Sequence, residues 1–400
     1  MPGTVYVLGV LSVDDARAAV LAATPRLGVE EVALGVGLRG RVLAAPVVSQ
    51  TAVPPFDNSA MDGFAIRAGA AQRRLRIVGE SRAGTPATAR VEDETAIQIS
   101  TGAQLPDGAT AVVMVEHTTE HDDASVSVHA ETLDGQNVRR AGEDVAAGQT
   151  VLQPGAVLGP AELGVAANAG AATLTVAYRP RVAILTTGDE LVPVGRPLGA
   201  GEIHDSNGIT LAALAQEAGA EVVLGDHAPD DQAATEQLIG DALARADLLL
   251  LTGGVSVGPH DHVKPALIAQ GVEEHFWRVA LRPGKPTWFG SRGSTLVLGL
   301  PGNPVSTVVT FLLFARPALA AMQGADPSHP HITARLTQDV EPTEGREELI
   351  RVHLDADLAT PTGPQGSHVL TSLLGADGLA RIPAGDAILP AGSAVDVLVL

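Results

Sequence analysis

Four short loops in the second half of the chain hold residues suited to gripping a small anion with a cation beside it: TTGDE (186–190), TGGVSVGPHD (252–261), RPGKP (282–286) and LPGNP (300–304). Gly253 and Gly254 allow backbone amides to approach an oxyanion closely, and Thr252 and Ser256 add hydroxyl donors. Asp189, Glu190, Asp230 and Asp261 offer hard oxygen ligands that can hold Mg2+ against phosphate oxygens. Asp230 reads equally well as a helix N-cap. His260 and His262 flank Asp261, but an i, i+2 spacing does not align two imidazoles on one helix face, so no structural zinc is expected. GGVSVG is neither a Walker A loop nor a dinucleotide GxGxxG. One such loop reads equally as a plain turn; four of them at predicted strand ends point to a site.

Among 26 basic residues only Lys264 and Lys285 are lysine, and both stand beside these loops. Lysine is a compact point charge that reaches an oxyanion where a guanidinium fork does not fit. From His275 to Ala325 there is no Asp or Glu, yet Arg278, Arg282, Lys285, Arg292 and Arg316 all fall in that window. In a chain of net charge −20, one region is thus kept locally positive. The overall field repels nucleic acid and anionic membranes, so an anionic small molecule needs such a recess. The absence of cysteine excludes disulfides, thiolate metal ligands and cysteine nucleophiles. Sulfur chemistry has to arrive with a ligand.

The elements that must position these loops follow from periodicity. The 400 residues, 45% hydrophobic, suffice for two to four domains of ~100–200 residues. The opening stretch lacks a basic leader region, and no apolar run is read as approaching the ~18 residues of a spanning helix, so a soluble cytoplasmic protein is expected. Ser12 with Asp15 resembles a capping box and opens a helix to about Ala23, and a second helical stretch is read to about Ala45. Short β runs fill 75–129, a short helix and a strand fill 150–180, and a boundary falls at Pro180. After it, strands alternate with helices, as in a mostly parallel sheet covered on both faces, whose ligand crevice lies at the carboxyl ends of the strands. From Ile332 onward the text is β again, including SHVLTSL.

Between the first helices and the β runs lies FDNSAMDGFAIR (56–67), two carboxylates around one glycine, too polar for a core and too apolar for a spacer. Together with ISTGAQLPDGATAVVMVE, VRRAGEDV, TTGDEL, GEIHDSN, LLTGGVSVGPHDHVK, RPGKPTWFG, LGLPGNPVS and PQGSH, in that order along essentially the whole chain, it resembles the molybdopterin molybdenumtransferases of the MoeA and gephyrin E-domain type. The resemblance implies a discontinuous N-terminal helical lobe (1–56 with 146–180), an inserted β-barrel-like domain (57–145), a MogA-like α/β molybdopterin-binding domain (181–330) and a C-terminal β-barrel (331–400). It further implies a homodimer with the active cleft between subunits, and partner proteins in a cofactor pathway.

The reaction implied is Mg2+-dependent insertion of molybdate into adenylylated molybdopterin with release of AMP. On that reading Asp62, Asp144, Glu190, Asp261 and Lys285 are catalytic. Arg282, Lys285, Arg351 and Ser367 take molybdate; Glu190, Asp230 and Asp261 take the metal. Thr101, Thr187, Gly188, Asp189, Asn207, Thr252, Gly253, Gly254, Val255, Ser256, Lys264, Pro301, Gly302 and Asn303 contact molybdopterin or its nucleotide. The chain departs from the family where Arg282 replaces the first lysine of Lys-Pro-Gly-Lys, which keeps the charge and changes the geometry. Two rival readings share the fold: a molybdopterin adenylyltransferase, and a non-catalytic scaffold. The extra domains speak against the first, the paired charges against the second.

Overall fold

The computed structural model describes residues 9–229, 231–254 and 262–400. Ser12 caps α1 (Val13–Ala23) by accepting the Asp15 amide at 3.1 Å. The apolar face of α1, Val13, Ala16 and Val20, is buried in the core of the α/β domain rather than in a separate N-terminal lobe. The second helix read to about Ala45 is absent. In its place Val29–Ala33 pairs antiparallel with Thr173–Ala177, followed by a 3-10 turn at Val36–Leu38. Val29 and Val32 favour the pleated surface, and Gly35 and Gly37 interrupt any helical run. The lobe keeps one helix, α2 (Pro160–Asn168), packed over Leu38, Leu43, Leu158 and Val176.

Residues 58–139 hold a six-stranded curled sheet in the order Ala111–Met114, Gly63–Ile66, Thr95–Ile99, Arg73–Ser81, Ser125–Val128, Thr118–His121. Gly63 sits where the strand leaves the FDNSAMDG loop. Its φ is 159°, and an added Cβ would lie 1.9 Å from the Val113 carbonyl oxygen, so no side chain fits.

The α/β domain is built on a second six-stranded sheet, ordered Glu221–Ala228, Arg181–Thr187, Leu248–Thr252, Thr295–Leu300, Trp288–Arg292, Glu273–Trp277. The first four strands are parallel; the last two are antiparallel to their neighbours. Alternation along Arg181–Thr187 divides the core. Val182 and Ile184 face α3 (Asn207–Glu217) and α1, whereas Ala183 and Leu185 face α4 (Gln232–Arg245) and α5 (Val263–Ala269). The cap of α4 is Asp231, which accepts the Ala234 amide at 2.8 Å.

The last helical rod begins as α6 (Pro304–Thr310), passes through a π turn at Phe311–Ala315 and ends as α7 (Arg316–Gln323). By length and composition this 20-residue rod is apolar enough to cross a membrane, against the expectation that no run approaches that length. The reason is burial: 83% of its most apolar window is packed inside the protein, as in a core helix.

In the C-terminal unit Glu347–Asp355 pairs with both Leu358–Pro361 and Gly378–Ile382, closing a barrel that also contains His331–Leu336 and Ala394–Val399. Leu281–Arg282 of the α/β domain adds to it as a parallel strand beside Glu347–Glu348. Of SHVLTSL, the stretch Leu370–Leu373 is a 3-10 helix and not a strand, because Arg351 and Gln365 pin this loop across the barrel wall.

Candidate active site

The carboxyl ends of three parallel strands meet at one point. The Asn207 side chain, at the start of α3, donates to Thr252 Oγ1 at 3.1 Å and to the Gly302 carbonyl at 2.8 Å, tying three loops together. Thr187 Oγ1 reaches the Thr252 carbonyl at 3.5 Å, and Thr186 donates to Asp205 at 2.8 Å. The loops touch so closely that only glycine fits. An added Cβ at Gly253, φ 85°, would stand 2.6 Å from the Thr187 carbonyl oxygen, and one at Gly254, φ 60°, 2.5 Å from Val263 Cγ2. Among the described residues Asn207 Oδ1 is buried without a partner, an acceptor left over for a ligand hydroxyl or amine.

Glu190 is exposed, with its carboxylate over the Cα of Gly188, where an added Cβ would lie 2.5 Å from Oε2. Asp189 is exposed beside it. Asp230, Val255, Ser256 and Asp261 lie outside the described residues. Among the described residues no three His, Asp or Glu side chains gather to cage a metal by themselves. Glu190 as a single hard carboxylate suits Mg2+, which is held by one or two carboxylates plus substrate phosphate.

A cavity of about 420 Å³ opens between this domain and the C-terminal barrel, lined by Arg282, Lys285, Asn303 and Ser367 together with Arg346, Gln365 and His368. It adjoins the strand-end loops through LPGNP. Gly302 binds Asn207 on one side, and on the other Asn303 donates to Ser367 Oγ at 2.9 Å. Val305 also donates its amide to the Ser367 carbonyl at 3.0 Å.

Arg351 does not line the cavity. It is 1% exposed, and its guanidinium donates to the carbonyls of Pro364 at 3.2 Å and Gly366 at 3.3 Å and to Ser372 Oγ at 3.1 Å. Burial pulls its pKa below the ordinary arginine value, and the Glu348 carboxylate partly offsets this. It holds the 364–372 loop and brings positive charge behind the wall. Lys264 does not line this cavity either; its Nζ stands 3.4 Å from the centre of the Trp277 ring, which the Arg278 guanidinium approaches at 4.0 Å. Arg346 was not singled out from the sequence, because it lies in the acidic text EPTEGREE; Gln365 and His368 fall within the PQGSH motif.

In the inserted unit, Asp62 Oδ1 accepts the Thr101 amide at 2.7 Å and the Thr101 hydroxyl at 3.1 Å, so two residues of the proposed set share one exposed corner. Asp144 is exposed on the neighbouring turn. Asp57 fastens that turn to the FDNSAMDG loop, accepting the Ala141 amide at 2.8 Å and an Arg140 guanidinium proton at 2.7 Å. The amide bond first, and Arg140 second, hold its carboxyl below the usual range. A depressed folded-state pKa gives stabilisation that is full above the unfolded value, about 3.9, and is lost as pH falls through the lowered one. Asp57→Ala is expected to lower amide-exchange protection factors over residues 139–144 about tenfold at neutral pH, with wild-type protection falling to that level only in strong acid.

The comparisons agree along the whole chain. Residues 11–170 match the MoeA N-terminal region (domain I and II), 183–321 the probable molybdopterin binding domain and 333–400 the MoeA C-terminal region (domain IV). The chain is 41% identical over 376 residues to molybdopterin molybdenumtransferase 2 of Mycobacterium tuberculosis H37Rv, covering 90% of this chain and 92% of that one. It is 36% identical over 379 residues to the molybdopterin molybdenumtransferase of Haemophilus influenzae, covering 91% and 92%. The molybdopterin biosynthesis MoeA protein from Pyrococcus horikoshii OT3 superposes with a TM-score of 0.84 at 30% identity, covering 98% of this chain and all of that one. Three matched regions in one order, and relatives this similar over nine-tenths of the chain, show that it belongs to the molybdopterin molybdenumtransferase family, transferases of molybdenum cofactor biosynthesis.

Proposed function

We propose that the chain inserts molybdate into adenylylated molybdopterin with release of AMP, in a Mg2+-dependent reaction. The observation that carries this reading is the LPGNP loop, which joins the glycine-lined strand ends to the cationic cavity. A phosphate-bearing substrate at Gly253, Gly254 and Asn207 thereby lies next to an anion held beside Lys285 and Ser367. Molybdate is a tetrahedral dianion, and charge-assisted hydrogen bonds from a lysine and arginines suit it. The dithiolene sulfurs that receive the metal come with the substrate, which fits a chain with no cysteine.

Breaking the phosphate anhydride calls for positioning and charge stabilisation more than for a protein nucleophile. Thr252 and the Gly253 and Gly254 backbone orient the phosphates, and Asn207 holds the loops in register. Glu190, with Asp230 and Asp261, would hold Mg2+, which when bound neutralises phosphate charge. Asp62 with Thr101, and Asp144, would approach the cleft from a second subunit, making the working unit a homodimer.

AMP release from adenylylated molybdopterin is expected to require both molybdate and Mg2+. Release indifferent to molybdate would overturn the reading. Formation of adenylylated product from ATP and molybdopterin would place the chain with the adenylyltransferases instead.

A further inference from the structure

The linker from α7 to the C-terminal barrel, residues 324–330, is fastened by a histidine. His329 is 7% exposed and stands between two groups of fixed character. On one side Arg316 Nη1, at the start of α7, lies 2.8 Å from its Nδ1; on the other its Nε2 lies 2.7 Å from the Val399 carbonyl, at the end of strand Ala394–Val399. A guanidinium only donates and a carbonyl only accepts, so Nδ1 is bare and Nε2 carries the proton. This arrangement exists for the neutral ring alone. A proton on Nδ1 removes the acceptor and sets an imidazolium against a guanidinium inside the protein.

The surroundings favour the neutral form. Burial lowers the pKa of the ring first; the Val399 carbonyl opposes this, and Arg316 of α7, Arg17 of α1 and His331 of the next strand add to it. Two carboxylates of the region serve other groups: Glu217 of α3 acts on Arg316, and Asp326 of the linker accepts the Ser328 amide at 2.8 Å. The bonds made through residue 399 reach beyond the linker. Val399 donates its amide to the Pro330 carbonyl at 3.0 Å and pairs with Gly378, and Leu400 donates to the Asp377 carbonyl at 3.0 Å. Asp377 and Gly378 follow directly on the loop that carries Ser367. We propose that His329 is a proton-released latch: neutral, it locks the linker and the end of the last strand to α7; protonated, it lets both go while the barrel stays seated through Leu281–Arg282 and the Arg381–Asp14 pair. Because the folded-state pKa lies below the ordinary imidazole value of about 6.5, this stabilisation is full above that pH and is lost as pH falls through the lowered value.

Hydrogen exchange of the full-length protein between about pH 8 and about pH 5, read as protection factors, tests the latch. Residues 394–400 of the wild type are expected to lose about tenfold in protection on acidification, the loss of one hydrogen bond to a charged group, while 347–355 in the barrel wall keep theirs. In His329→Asn the side-chain Oδ1 accepts from Arg316 in place of Nδ1 and does not titrate, so protection over 394–400 is expected to start lower and stay level. Arg316→Met removes the opposing cation, and the acid-dependent loss is expected to vanish. Imidazole nitrogen shifts of the wild type supply a measurement that needs no variant to fold beyond the one that assigns the signal: above about pH 7 His329 is expected as the Nε2–H tautomer. Wild-type protection that stays level, a His329→Asn protein that falls in parallel with wild type, equal loss over 347–355, or the Nδ1–H tautomer would each overturn the latch.

Discussion

Gly253→Ala is expected to lower molybdate-dependent AMP release more than a hundredfold while the chain still folds. Two effects combine at this position. The φ of 85° lies in the left-handed region, which costs a residue with a Cβ about 1 kcal/mol or more. The larger effect is contact: the Cβ would sit 2.6 Å from the Thr187 carbonyl oxygen and 2.7 Å from Thr187 Oγ1. Neither atom is the end of a long flexible side chain, so a strand end must shift. Because Asn207 fastens Thr252 to Gly302, the shift passes to all three loops. A displacement of about 1 Å in groups that position a reacting substrate costs on the order of a hundredfold in rate. At Gly302 an added Cβ would meet Gly253 Cα at an ordinary 3.7 Å, so Gly302→Ala should lose far less. Single-turnover AMP release, with unfolding midpoints for both variants, tests the ordering; equal losses would show that the close approach at Gly253 has no special role.

The loops that hold these glycines were legible in the sequence because local chemistry alone produces them. Strand, turn and helix alternate after Pro180, and glycine is the residue that tolerates the backbone found at 188, 253 and 254. Ser12 with Asp15 announced α1 for the same reason, since a cap is made within one turn. What local pattern does not carry is the destination. The amphipathic face of α1 says that it packs, not that it packs against the α/β core and its last helical rod at 311–323, some 300 residues later in the chain. Arg381 shows the same limit: it binds Glu347 at 2.6 Å and Asp14 of α1 at 3.2 Å, and these contacts raise its pKa against the effect of burial. Nothing in the text around Asp14 names that partner. Residues 24–45 misled because the alanines and leucines there suit a helix, while the pairing of Val29–Ala33 with Thr173–Ala177 joins segments about 140 residues apart. For the site, residue type singled out Arg282 and Lys285 and the family resemblance added Arg351, but neither told that Arg282 is paired with Glu348, that Lys285 has no carboxylate partner among the described residues, or that Arg351 is buried.

That last distinction sets what Arg351→Met should do. Methionine fills much of the same space, so the loss is chiefly polar: the carbonyls of Pro364 and Gly366 and the hydroxyl of Ser372 lose a common donor inside the protein. Leaving buried neutral acceptors without a donor costs about 1–3 kcal/mol, more than a typical surface substitution. The backbone of residue 351 still bonds Gln365 in both directions, at 2.9 and 3.0 Å, so the strand is expected to persist while the loop beyond it loosens. Ser367 is in that loop and gives Asn303 its partner across the cavity. Molybdate affinity should therefore fall together with the unfolding midpoint, although Arg351 does not line the cavity. Arg351→Lys separates charge from geometry. If the side chain acted only as a buried positive charge, lysine would restore molybdate binding; because the guanidinium serves three acceptors in different directions, lysine is expected to restore little of either stability or affinity. Full rescue by lysine would reassign Arg351 from holding the loop to holding the anion.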